Sequence, residues 1–204
     1  MSTELRREWN KRAERPGLPS VMSTRWSETD SAAATTDLKK KVFRVLGNIY
    51  GKRLLEVGSG IGRFTQDFRD AGADVYALDH SINMIHRARQ TVSPDVHFIN
   101  ASVSELPLRT DNFDTSVAIT VLQHITDPTE FQNALNELKR VTRDRIIICD
   151  ELRQDEPEKV TPFTMLRTVD QFTDGMSGWH LASKDIFNCL TDEYTLMVWE
   201  KDKQ

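Results

Sequence analysis

Read for its apolar spacing, the chain changes character along its length. Up to about residue 36, Leu5, Trp9, Leu18, Val21, Met22 and Trp26 are scattered among charges, Ser and Thr. This pattern predicts a polar arm, with a helix over 3–14 and then a loop. From Asp37, the residues Leu38, Val42, Val45, Leu46 and Ile49 recur at helical spacing and stop near Gly51, which predicts an amphipathic helix. Beyond Gly51, short apolar runs alternate with helix-length segments. Arg53–Val57, Asp74–Leu78, Val96–Asn100, Thr115–Thr120 and Ile146–Asp150 read as strands, with helices at Gly62–Ala71, Ser81–Val92 and Pro128–Thr142. Such alternation places parallel strands under crossover helices on both faces. The expected fold class is therefore α/β, doubly wound, with 1–36 as an arm and 37–204 as the domain. After Asp150 the pattern weakens, predicting helices at Thr161–Asp174 and Lys184–Leu190 and a last strand at Tyr194–Glu200.

Composition narrows the function classes. The 204 residues are 38% hydrophobic, enough for one domain of ordinary size. With 31 acidic against 27 basic side chains and a net charge of −4, the chain lacks the positive field that general nucleic-acid binding requires. The longest apolar runs, Ser116–Leu122 and Ile146–Cys149, fall far short of the roughly 20 residues that span a bilayer. No apolar signal region precedes residue 30, so a cytoplasmic protein is expected. Cys149 and Cys189 read as reduced core thiols. No His/Cys/Asp cluster has zinc spacing and no nucleophile-elbow motif occurs, so no metal is expected.

The strongest chemical signal is Leu54-Leu55-Glu56-Val57-Gly58-Ser59-Gly60-Ile61-Gly62, a strand running into a glycine turn and then a helix. Glycine suits a turn whose backbone a ligand must approach closely. Asp79 closes the next strand, where an acid accepts hydrogen bonds from the hydroxyls of a nucleoside ribose. A nicotinamide dinucleotide calls for G-x-G-x-x-G; here the spacing is G-x-G-x-G, and Glu56 would repel a pyrophosphate. An acid at that point suits a ligand carrying an amino group and a sulfonium charge, such as S-adenosylmethionine.

These residues resemble motif I of the class I S-adenosylmethionine-dependent methyltransferases, in their small-molecule branch, over about 37–150. The resemblance implies a Rossmann-like sheet and a cofactor site. In it Gly58, Ser59, Gly60 and Gly62 pass under the methionine moiety behind Glu56. Asp79 holds the ribose with His80 beside it, and Met84 packs on adenine. Ser102 and Val103 stand where the family reads the adenine edge, usually with Asp; a Ser102 hydroxyl can accept the same bond without charge assistance. Asn112-Phe113-Asp114 with the following strand resembles motif IV, and Gln123-His124-Ile125 the turn after it.

For the methyl acceptor, a small polar metabolite methylated at nitrogen or oxygen, the residues beyond the strand ends are the candidates. His124 reads either as a general base or as a pocket-shaping histidine. Asp150 and Glu151 read either as a holder of an amine or sugar or as a solvated strand end. Trp9 and Trp26 read as a lid over the substrate or a cap on the domain's side, and His180 as a further base or a surface residue. His80, His86 and His97 read from their positions as exposed and structural, although the resemblance sets His80 beside the ribose acid. Two other functions fit the same residues: a non-catalytic methyltransferase-like binding module, and a protein or RNA methyltransferase. The single strand evident before Gln204 leaves either a hidden hairpin partner or an open sheet edge that a second copy could cover as a homodimer.

Overall fold

The computed structural model describes residues 3–23 and 25–203. In chain order the elements are α1 (Thr3–Arg12), α2 (Glu28–Leu46), β1 (Arg53–Val57), α3 (Thr65–Asp70), β2 (Asp74–Asp79), α4 (Ile82–Ala88), β3 (His97–Asn100), β4 (Phe113–Ile119), α5 (Pro128–Val141), β5 (Thr142–Asp150), β6 (Glu158–Thr161), β7 (Thr164–Leu166), α6 (Val169–Gly175), β8 (Trp179–Cys189) and β9 (Asp192–Lys201). Seven strands form one sheet in the order β3-β2-β1-β4-β5-β9-β8. The first five run parallel, and β9 and β8 join antiparallel at one edge. β6 and β7 make a separate two-stranded hairpin.

The central strands are apolar on both faces because each face has its own helical layer. Leu54, Val75, Ala77, Val117 and Ile147 pack with α2 and α3 residues such as Leu38, Val42 and Phe68. Leu55, Leu78, Ala118, Ile146 and Ile148 pack on the other face with Phe131, Leu135 and Leu138 of α5 and Phe172 of α6. Burying each of the larger side chains among these contributes roughly 1.5–3 kcal/mol. α5 is set by Asp127, whose side chain caps the Glu130 amide at 2.8 Å, and by Pro128 in its first turn.

Three expectations change and one open alternative is decided. The helix expected from Asp37 begins at Glu28, so the arm proper ends near Ser27. Ser27 accepts from the Asp30 amide at 3.1 Å while the Asp30 carboxylate accepts from the Ser27 amide at 3.4 Å, a reciprocal cap that starts the helix early. The helix expected at Thr161–Asp174 is instead β7 followed by α6. Lys184–Leu190 is no helix but the second half of the edge strand β8. β8 pairs with β9 along its length, so the terminal hairpin is complete and its first strand spans the residues on both sides of Lys184.

Candidate cofactor and acceptor site

The carboxyl ends of β1, β2, β4 and β5 converge on two adjoining cavities. The smaller, about 60 Å³, lies between Glu56, the 58–60 turn, Asp79, His80 and the β4 end. Leu5, Trp9 and Val21 of the arm close it from outside. The larger, about 480 Å³, is lined by the arm, Arg63, Gln123, Glu151, the β6–β7 hairpin and Tyr194, a size within the range of small-molecule sites. Trp9, Val21, Arg63, Thr120 and His124 line both cavities and form the wall they share.

The turn after β1 uses its glycines for close approach. Gly58 has φ +68°, and a Cβ there would overlap Val121; Gly60 has φ +55°, and a Cβ would meet Val21 Cγ1 at 2.9 Å. The turn is tied to β2, since the Ser59 amide donates to Leu78 O at 2.9 Å and the Gly60 amide to Asp79 Oδ2 at 2.9 Å. Asp79 Oδ1 accepts from the Ser81 amide at 2.8 Å. Each carboxylate oxygen keeps further lone pairs, so the acid is oriented without being used up. Burial pushes Asp79 up to about 6 against these amide bonds.

Glu56 is buried, lines the smaller cavity and accepts from Thr65 Oγ1 at 2.6 Å; burial pushes its carboxyl up to about 8. Ser59 Oγ and His80 Nε2 are buried with no hydrogen-bond partner among the described residues. Such orphans are costly unless a ligand meets them. Burial holds the His80 imidazole down to about 4.

Thr120, at the junction of the cavities, has φ +57°. That conformation is strained for a β-branched residue, and its amide is held by Cys149 O at 2.6 Å. Next to it, His124 sits in a 3-10 turn over Leu122–His124. Its Nδ1 donates to Phe163 O at 2.9 Å, leaving Nε2 as the unprotonated nitrogen, and Trp9 meets the ring edge-on at 5.1 Å. Burial lowers His124 to about 4.

The remaining candidates divide. Met84 and Val103 are buried core residues, and Ser102 bonds Ser104 Oγ at 2.7 Å; none of the three lines either cavity. Trp26 and Glu151 line the larger cavity, and Glu151 contacts Gln123 Nε2 at 3.5 Å. Asp150 is neither a solvated end nor a pocket group: it is fully buried, its Oδ1 accepts from the Val121 amide at 2.9 Å, and burial pushes it up to about 8. Its work is to shape the turn that carries His124. His180 lies at the other end of the sheet, in register with Glu200, and pairs with Asp202 at 2.9 Å on the surface. Cys149 and Cys189 are free and buried. Among the described residues no His/Cys/Asp/Glu group could hold a metal, and no helix is long and apolar enough to cross a membrane.

Reading the sequence alone found Trp9 but missed Arg63, Thr120 and the α1 neighbours of Trp9, Leu5 and Arg12, that share its face. That face was legible in principle, because positions four and three apart share one side of a helix.

Comparison with known proteins places this geometry in a class. Residues 55–148 match the family described as a methyltransferase domain. This stretch is similar to methyltransferase domains, in agreement with the sheet order and glycine turn. The chain is 33% identical over 113 residues to the demethylmenaquinone methyltransferase of Renibacterium salmoninarum, covering 55% of this chain and 46% of that one. It is 34% identical over 120 residues to the malonyl-[acyl-carrier protein] O-methyltransferase of Buchnera aphidicola, covering 55% and 47%. The chain thus spans about half the length of these curated relatives. In fold it is similar to magnesium protoporphyrin IX methyltransferase from Synechocystis PCC 6803 with bound SAM, at a TM-score of 0.70 and 17% identity, covering 98% of this chain and 92% of that one.

Proposed function

We propose that the protein is an S-adenosylmethionine-dependent methyltransferase acting at a nitrogen or oxygen of a small polar metabolite. The observation that carries this reading is the smaller cavity. A glycine turn bonded to Asp79 borders two buried, unpartnered polar atoms, Ser59 Oγ and His80 Nε2. A nucleoside with an amino-acid tail would meet all of them, and Glu56 at the end of β1 offers a carboxyl oxygen that can accept from the tail's ammonium. When bound, S-adenosylmethionine supplies an electrophilic methyl group on a sulfonium.

The chain's own contribution is alignment and exclusion of water. Asp79 would hold the ribose hydroxyls, and Gly58 and Gly60 would leave room for the tail. Leu5, Trp9 and Val21 cover this site from the arm. Their place over the cavity gives the arm the position of a lid on the cofactor site. His124 is held by Phe163 O and packed by Trp9. It orients the shared wall and keeps Nε2 free as an acceptor for an acidic acceptor proton.

The test is incubation with methyl-labelled S-adenosylmethionine and separate pools of phenols and quinols, carboxylic acids and amines, reading labelled product. The reading requires label in one pool and release of S-adenosylhomocysteine. Failure of a folded sample to bind either adenosyl compound would overturn it.

A further inference from the structure

We infer that the larger cavity recognises an acceptor with a flat apolar body and an anionic group, and that Arg63, seconded by Arg12, binds that anion. The inference deepens the reading above and rests on it.

The first observation is a cation without a counter-ion. Arg63 follows the glycine turn, lines both cavities, and is half-buried. Among the described residues no carboxylate makes an ion pair with it; its guanidinium reaches only Thr120 Oγ1, at 3.5 Å, and lies 4.8 Å from the Phe64 ring. The ionisable groups facing it are Tyr194, Cys149, Glu56 and Cys189, and burial pushes every one of them toward its neutral form. A guanidinium drawn from water into such surroundings favours an anionic ligand, and its planar fork matches a carboxylate.

The second observation is that Asp192 and Glu151 are already engaged while a further arginine, Arg12, keeps an unused donor. Asp192 takes two bonds from Arg25, both 3.1 Å, and Glu151 is held by Gln123. Glu8 sits one helical turn from Arg12 on α1. Arg12 donates from one nitrogen to Met22 O at 2.5 Å and stacks over Trp9 at 4.5 Å, leaving a buried Nε with no partner. The two arginines share the lining of this cavity with the aromatic residues Trp9, Trp26 and Tyr194, a residue type that packs against flat bodies. Of the two acids of the β5 end that favoured an amine acceptor in the sequence, only Glu151 lines the cavity, since Asp150 bonds the β4 turn.

The test uses 2-naphthoate and 2-naphthylmethylamine, which share a ring system and differ in charge. Both are titrated by tryptophan fluorescence into the full chain, with and without S-adenosylhomocysteine. The expected result is saturable binding of 2-naphthoate and at least tenfold weaker binding of the amine. Arg63→Met and, separately, Arg12→Met should each weaken 2-naphthoate about 10- to 100-fold, the range for a charge-assisted hydrogen bond, with Arg63→Lys recovering part of the loss. Arg12 lies outside the glycine turn, so its variant keeps the test valid if Arg63→Met does not fold. Amine binding equal to or tighter than 2-naphthoate, no 2-naphthoate binding at all, or unchanged affinity in both methionine variants would each overturn the proposal. S-adenosylhomocysteine is titrated alone in the same series: if it fails to bind, the methyltransferase reading falls, whereas its binding beside a failed 2-naphthoate titration sinks the anion site only.

Discussion

Glu56 gives the sharpest physical test of the site. Its carboxyl is almost fully buried at the end of β1 and ionises at about 8 instead of its ordinary 4.5, chiefly because burial penalises the charge. Below about pH 4.5 the group is protonated in both the folded and the unfolded chain. Between that pH and about 8 the folded chain still holds the proton and the unfolded chain has lost it. Stability therefore falls as pH rises across this window and levels off above it. At about 1.4 kcal/mol per pH unit the full excursion is worth about 5 kcal/mol. Asp79 and Asp150 titrate in overlapping ranges, so the absolute slope is shared, and a variant is needed to isolate Glu56. Glu56→Gln keeps an acceptor for Thr65 Oγ1 and removes the titration. Urea unfolding of both proteins at half-unit steps from pH 4.5 to 8.5 should show the variant gaining on the wild type by several kcal/mol as pH rises. Curves that stay parallel within about 0.5 kcal/mol, inside the error of extrapolation, would refute the claim that Glu56 is buried and neutral.

Three further outcomes follow from the same geometry. Gly58→Ala must hold φ +68° with a Cβ against Val121, so it should cost about 2–5 kcal/mol in denaturant unfolding; adding Val121→Ala should return the crowding part but not the backbone strain. Arg167 is buried, donates to Leu122 O at 3.2 Å and Ile125 O at 2.5 Å, and lies 3.7 Å over Phe131. Arg167→Met should therefore destabilise by about 2–4 kcal/mol in the same assay through the loss of two charge-assisted bonds, Leu122 O keeping the Ile125 amide at 3.1 Å; a loss below about 0.5 kcal/mol would contradict those bonds. Since His124 ionises at about 4, kcat/KM should carry no limb from it between pH 5.5 and 7.5. A limb near pH 6.5 that disappears in His124→Asn would count against the buried, neutral histidine.

The parallel half of the fold was legible because its strands are apolar on both faces and each is bounded by turn residues. The last third was not, for identifiable reasons. β8 is an edge strand whose middle positions Ser183 and Asp185 are polar and not buried, Asp185 reaching Arg44 of α2 at 2.5 Å, while the apolar Ile186 is 40% exposed. The alternation that marks a strand is thereby erased. The first turns of α2 were hidden in the same way, since Ser31, Ala34 and Thr35 bury small side chains that carry little hydropathy. At the site, the glycine turn and Asp79 stand out by spacing, but Asp150 does not reveal from sequence whether it faces a ligand or the Val121 amide. Arg63 was equally opaque, because what distinguishes it is the absence of an ion-pair partner, a property of the folded surroundings and not of the residue.

Calorimetric titration of the full chain with S-adenosylhomocysteine tests the central claim most directly. The account expects saturable binding at a single site, lost in Gly58→Ala samples that remain folded. No binding heat in wild-type protein across temperatures, with its folded state verified by circular dichroism, would contradict it.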